Sequence, residues 1–193
     1  MAFFRSVSFS DSMPAIAGDG VALRVPQGSD YAEWAALREA SRDFLVPWEP
    51  TWPDDDLTRG AFRRRLKRYA DDQRSDLAYA FLIFRSDDNA LVGGLTLANI
   101  RRGVAQAGSI GYWIGAPFAR RGYMTAAVRA LVPFCFRTLR LHKLTGEYEG
   151  QHAISLDERW RLHVTFEGGP PLSGATTKRV LARIEEVTQH YGD

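Results

Sequence analysis

The chain has 193 residues, close to the usual span of one domain and long enough to bury a sizeable core. Its 25 basic and 23 acidic residues leave a net charge of +2, too even to draw nucleic acid by long-range attraction, and a 45% apolar content with five Trp and eleven Phe excludes extended disorder or a fibre. A single cysteine, Cys135, excludes an intrachain disulfide, and no signal-type leader or run of about 18 apolar residues occurs, so a cytoplasmic protein is expected.

In chain order, residues 1–19 mix short apolar runs with Ser, Asp, Pro and Gly and read as a flexible arm ahead of one domain over 20–193. "GVALRV" (20–25) alternates as a first strand, and in "SDYAEW" Asp30 and Glu33 have capping-box spacing at a helix start. Trp34, Leu37, Ser41 and Phe44 keep helical spacing until Pro47 stops it. The linker "VPWEPTWPDDD" (46–56) holds three prolines and two tryptophans, so it is both stiff and adhesive. A second helix is predicted from Thr58, burying Phe62, Leu66 and Tyr69; its basic run "RRRLKR" (63–68) reads as a solvated face offset by Asp71, Asp72 and Asp76.

Three hairpin-linked antiparallel strands follow at "AYAFLIF" (78–84), "LVGGLTLANI" (91–100) and "AGSIGYWIG" (107–115). Beyond a basic turn, Val128, Leu131, Cys135 and Leu139 mark a helix that Pro133 should bend, with Cys135 as a packing residue. "HKLTGEY" (142–148) is reached through that helical crossover and is predicted parallel to 107–115. After Pro171, Val180, Ile184, Val187 and Tyr191 recur at helical spacing. The order describes an α/β fold with a mixed, mostly antiparallel sheet.

The basic turn carries the chemistry. A helix start leaves backbone N–H groups unpaired at its positive end, and Arg120, Arg121 and Gly122 lie at that junction, which suits an anion. A mononucleotide loop would need Lys followed by Ser or Thr, and a dinucleotide fingerprint three spaced glycines; both fail on residue type. What remains is a hollow of N–H groups from Arg120 to Thr125, where Gly122 permits close backbone approach, and this matches a pyrophosphate. In the preceding strand Gly111 and Gly115 mark a bulge or the close approach of another chain segment or a ligand. If that strand splays from "HKLTGEY", its free backbone groups can bond an extended amide-bearing ligand. Coenzyme A has both parts. An ordinary connector is the competing reading of the same residues.

"GYWIGAPFARRGYMTAAVRALVPFCF" followed by "LRLHKL", with "FLVPWEPTWP" upstream, resembles the GNAT acetyltransferases, and within them the RimJ/RimL type that acetylates ribosomal-protein N-termini, over roughly residues 20–148. The resemblance implies a splayed central strand pair with flanking helices, and acetyl-CoA as cofactor. The family's pyrophosphate motif, Gln/Arg-x-x-Gly-x-Gly/Ala, falls on Ala119–Met124, and its departures at Ala119 and Met124 remove no backbone donor. It implies cofactor contacts at Tyr112, Trp113, Ile114, Arg120, Arg121, Gly122, Tyr123, Met124 and Thr125, with the backbone at Trp113 and Ile114 meeting the oxyanion.

For acetyl transfer to an amine, Ser155 is the positional candidate for the acid, with His152 near it, and Glu49 or Glu147 for the base. Trp48 and Trp52 would shape the acceptor pocket, and no metal is implied. The acceptor implied is a protein N-terminus, possible ribosomal partners included; a polyamine, an aminoglycoside, or a domain that only senses acyl-CoA are the alternatives. Nucleic acid and membrane are not expected partners, and a homodimer, common in the family, is not demanded by any exposed stripe. The C-terminal part is atypical: "GQHAISLDERWRLHVTFEGG" lies on the family's Asn-x-x-Ser segment with His152 at the Asn position and Ser155 at the Ser position, or else "LDERWRLHVTF" (156–166) is a terminal strand.

Overall fold

β-Branched and aromatic runs separated by turn residues, with longer amphipathic stretches between them, give the alternation of sheet and helix that the pattern predicts. The structure, a computed structural model, describes residues 13–148, 152–157 and 162–166, with side chains through Gly146. The elements are β1 (Ile16–Ala17), β2 (Val21–Arg24), α1 (Tyr31–Ala40), α2 (Arg42–Leu45), α3 (Arg59–Arg74), β3 (Tyr79–Arg85), β4 (Leu91–Arg101), β5 (Ala107–Ile114), α4 (Tyr123–Pro133), β6 (Lys143–Tyr148), β7 (His152–Asp157) and β8 (Leu162–Phe166). Two compact units share these elements: one takes the chain up to Thr96 with Tyr112–Ala130, the other Leu97–Gly111 with the chain from Leu131. Within each unit the strands lie in chain order, β1 to β4 in one and β5 to β8 in the other.

In the first unit β1 and β2 pair antiparallel, Ile16 opposite Leu23, and β2 pairs antiparallel with β3, Leu23 opposite Ile83. The core gathers Trp34 of α1, Phe62 of α3 and Leu82, Phe84 and Leu91 of the sheet. The Trp34 and Phe62 rings stand 4.8 Å apart, and each such buried side chain contributes about 1.5–3 kcal/mol. Thr58 caps α3 through the Ala61 N–H, at 3.2 Å.

Two local expectations need correction. Asp30 is already helical at φ −76° and does not cap α1 with its side chain; the buried carboxylate instead accepts from the Gln27 N–H at 2.7 Å and from both terminal nitrogens of Arg24 at 2.7 and 2.8 Å. A buried carboxylate gains more from a charged fork than from one amide. Glu33, its expected box partner, accepts from the Leu91 N–H at 2.6 Å. The basic run on α3 is balanced from the preceding linker, Arg64 by Asp55 and Arg65 by Asp56, while Asp71 pairs with Arg74 and Asp76 accepts from the Tyr79 hydroxyl.

In the second unit β5 and β6 run parallel, as the crossover requires, from Ala107 opposite Lys143 to Ile110 opposite Gly146. β6, β7 and β8 then continue antiparallel, with Thr145, Ser155 and His163 at one level. Pro133 closes α4 and the chain widens into a π-helical turn over Phe134–Thr138, where the Leu139 N–H reaches back five residues to the Phe134 carbonyl at 3.0 Å. Pro133, which has no N–H to donate, is the last residue of α4, and the wider turn follows directly after it. Leu131 and Cys135 are fully buried.

Candidate active site

The turn between β5 and α4 is built from its backbone. A 3-10 turn over Ala116–Phe118 closes with the Phe118 N–H on the Gly115 carbonyl at 2.9 Å, and Ala119 is extended. Arg120 then takes φ +61° and Gly122 φ +86°, two left-handed residues flanking Arg121. A Cβ on Gly122 would meet nothing within 4 Å, so glycine is needed there for its backbone angle and not for space. The first helical bond of α4 runs from the Ala126 N–H to the Gly122 carbonyl at 3.0 Å, leaving the N–H groups of Tyr123, Met124 and Thr125 ahead of it. Arg120, Arg121 and Gly122 are exposed beside these donors. A left-handed turn feeding a helix start, with two guanidinium groups alongside, fits a phosphate-bearing ligand.

A second set of side chains braces the turn. The Phe118 and Tyr123 rings meet edge to face at 6.3 Å, and the Arg85 guanidinium lies 6.0 Å from the Phe118 ring. Arg85 bonds Asp88 and the Tyr123 side chain, which together raise its pKa further; Arg85, and then the Ala90 N–H, hold Asp88 well below the usual carboxylate range. Nothing at the sequence level marked Arg85: it is the last residue of an apolar strand, and its partner at Tyr123 lies 38 positions on.

The strand half of the site follows from the register. The β5–β6 ladder ends at Ile110 opposite Gly146, but β5 continues to Ile114, and Gly111 and Tyr112 are exposed just where the ladder stops. The Gly115 N–H is taken by the Val92 carbonyl at 2.9 Å. Backbone groups alternate along a strand, so the Ile114 N–H faces away from β4 and that of Trp113 faces toward it. Trp113 lies against a glycine pair: a Cβ on Gly93 would come within 2.4 Å of the Trp113 carbonyl oxygen, and one on Gly94 within 2.3 Å of its indole nitrogen. The "GG" of β4 therefore exists to admit Trp113, a role that the sequence reading did not assign.

One face of α1 grips the same stretch. Leu37 packs where a Cβ on Gly115 would fall, 2.5 Å from its nearest methyl, and the Ser41 hydroxyl accepts from the Ala116 N–H at 2.9 Å. Between them Arg38 is 5% exposed, with its guanidinium 4.2 Å from the Trp52 ring, 5.1 Å from Trp113 and 5.7 Å from Trp34. Arg38 donates to Glu49 twice, at 3.1 and 2.5 Å, and the Trp52 indole N–H donates to Glu49 at 2.7 Å. Linker residues Glu49 and Trp52 are thus brought to Trp113. Trp48 is not: it is 74% exposed.

Of the remaining candidates, Glu147 lies on β6 opposite Ala153, and His152 and Ser155 lie on β7 opposite Tyr148 and Thr145; their side chains are outside the described residues. The backbone at Ser155 is mid-strand, and 156–166 is divided between β7 and β8. The helical spacing after Pro171 is outside the described residues. Among the described residues no cluster of His, Cys, Asp and Glu is arranged to hold a metal, and no helix is long and apolar enough to cross a membrane.

Comparison with known proteins adds the family context. Residues 21–157 match the family model described as Acetyltransferase (GNAT) domain. The chain is 32% identical over 127 residues to "Probable N-acetyltransferase YjcK" of Bacillus subtilis, covering 66% of this chain and 70% of that protein. It is 27% identical over 150 residues to the [ribosomal protein uS5]-alanine N-acetyltransferase of Escherichia coli, covering 78% and 77%. Among solved structures, Mycobacterium smegmatis RimJ in complex with CoA-disulfide superposes with a TM-score of 0.63 at 26% identity, covering 72% of this chain and 68% of that one.

Proposed function

The chain belongs to the GNAT acetyltransferase family and is an acetyl-CoA-dependent N-acetyltransferase; from that premise we propose that its acceptor is the N-terminal amine of a protein, ribosomal proteins being the first class to test. The observation that carries this reading is the likeness to the uS5-alanine acetyltransferase, which spans 78% of the chain and takes in both the basic turn and the Trp-Glu-Pro linker.

When bound, acetyl-CoA supplies an acetyl thioester. The chain's own contribution is positional and electrostatic. The N–H groups of Tyr123, Met124 and Thr125, beside Arg120 and Arg121, receive the diphosphate at the positive end of α4. Past Ile110 the open edge of β5 offers backbone partners to an amide-bearing arm. Alternation selects Ile114, and not Trp113, as the N–H donor for charge developing on the acyl oxygen. The incoming amine must lose its proton, with Glu147 as the remaining carboxylate candidate for that role, and Ser155 with His152 are the candidates for protonating the thiol that leaves.

The test pairs acetyl-CoA calorimetry with thiol release against peptides starting with Ala or Ser, spermidine and an aminoglycoside. Preferred turnover of the peptides is expected. Preference for the small amines refutes the proposed acceptor, and binding without turnover on any acceptor converts the reading to an acyl-CoA sensor.

A further inference from the structure

The linker carboxylate Glu49 sits where a general base would be sought, beside the acceptor side of Trp113, but its surroundings point elsewhere. A carboxylate offers about four acceptor positions, and three are filled: two by the Arg38 fork and one by the Trp52 indole. Arg38 in turn is buried, with Trp52 and Trp113 near its guanidinium, and its Nε has no acceptor among the described residues. The arrangement spends a buried cation to join two segments 61 positions apart, Trp52 of the linker and Trp113 of β5.

From this we infer that Arg38 and Glu49 are positioning residues that lock the 46–56 linker against Trp113 and so set the acceptor entrance beside the acyl-carrying end of β5. Three features carry the inference. The fork is bidentate, so it fixes orientation as well as distance. Leu37 of α1 and Ser41 just past its end hold Gly115 and Ala116 by contacts of their own, so the strand end stays fixed whether or not the linker is anchored. Three prolines stiffen the linker, so anchoring it at Glu49 and Trp52 orders the whole segment. A pocket wall built this way acts on the acceptor and leaves the diphosphate turn alone.

This inference rests on the acetyltransferase reading, and one set of variants separates the two. Glu49→Gln retains one oxygen that can accept from Arg38 and Trp52, gives up the second arm of the fork, and cannot serve as a base. It is expected to keep kcat within about tenfold of wild type with the same pH profile, whereas loss of a general base costs about a hundredfold or more. Arg38→Met removes the fork and is expected to lower kcat/KM for the acceptor by at least about tenfold, with acetyl-CoA affinity by calorimetry changed by no more than about twofold. Arg38→Lys should recover part of the loss, and Arg38→Gln, which also lacks the cationic fork, serves in place of Met should that variant fail to fold. Hydrogen exchange supplies a readout independent of turnover: the amides of Glu49, Thr51 and Trp52 should exchange at least about tenfold faster in the Arg38 variant that removes the fork. A hundredfold fall in Glu49→Gln with a flattened pH limb overturns the inference, as does unchanged exchange in the Arg38 variant that removes the fork. Failure of wild type to bind acetyl-CoA would instead overturn the family reading while leaving the exchange result intact.

Discussion

Adding one methyl group to Gly93 tests the fit between β4 and Trp113 most directly. The new Cβ would stand 2.4 Å from the Trp113 carbonyl oxygen and 3.2 Å from the Ile114 Cα. Ordinary C···O contact begins near about 3.3 Å, so the two strands must part by about 1 Å. One residue away, the bond from the Gly115 N–H to the Val92 carbonyl is 2.9 Å, and the same displacement would stretch it past hydrogen-bonding range. Overpacking costs about 1–3 kcal/mol and the lost bond about 1, while replacing a strand glycine by alanine returns about 0.5–1. The net is a destabilisation of about 1–3.5 kcal/mol, a large share of the roughly 5–15 that holds a domain together. Gly94→Ala differs in kind, because its Cβ meets the pyrrole edge of the Trp113 ring and not main chain, so an off-rotamer turn of that side chain, costing about 0.5–1.5 kcal/mol, can relieve the contact. Reversible urea unfolding, compared at constant m, measures both. The close-approach reasoning fails if Gly93→Ala lies within about 0.5 kcal/mol of wild type, or if Gly94→Ala proves the costlier of the two.

Three further outcomes are expected. Thr58→Ala removes the α3 cap and should cost about 1 kcal/mol by thermal or urea unfolding, with Thr58→Ser restoring most of it. Arg120→Gly should relieve a left-handed residue and leave stability unchanged or raised by about 1 kcal/mol, while weakening acetyl-CoA binding in calorimetry; stronger binding would remove Arg120 from the diphosphate site. Burial pushes the Cys135 thiol from 9.0 to about 12. The folded state then holds a proton that the unfolded state has lost, so this contribution is complete below pH 9 and declines by about 1.4 kcal/mol per pH unit between 9 and 12. Cys135→Ala should flatten that part of the pH–stability curve, and an unchanged slope would contradict it.

Strand and helix identities were legible because they rest on local periodicity: Phe62 and Leu66 repeat along α3, and the parallel sense of β6 follows from a helical crossover. The turn at Arg120–Gly122 was legible as a turn because it falls where β5 ends and α4 begins. What escaped was long-range. Glu33 looked like a cap partner for Asp30 three residues away, yet it serves Leu91, 58 residues on. Arg38, Gly93 and Gly94 gain meaning only from Trp113, and Arg85 only from Tyr123. A charge run such as "RRRLKR" identifies a polar surface, but which carboxylates balance it is decided by the path of the linker before α3.

Two main-chain amides, those of Leu91 and Ala116, are held by the Glu33 carboxylate of α1 and the hydroxyl of Ser41, which caps its end, at 2.6 and 2.9 Å. Deuterium uptake at these positions therefore reports whether the helix is seated, a question separate from whether the strands are zipped. A variant that unseats α1 would light up both sites together, before the ladder amides of β2 and β3 begin to label.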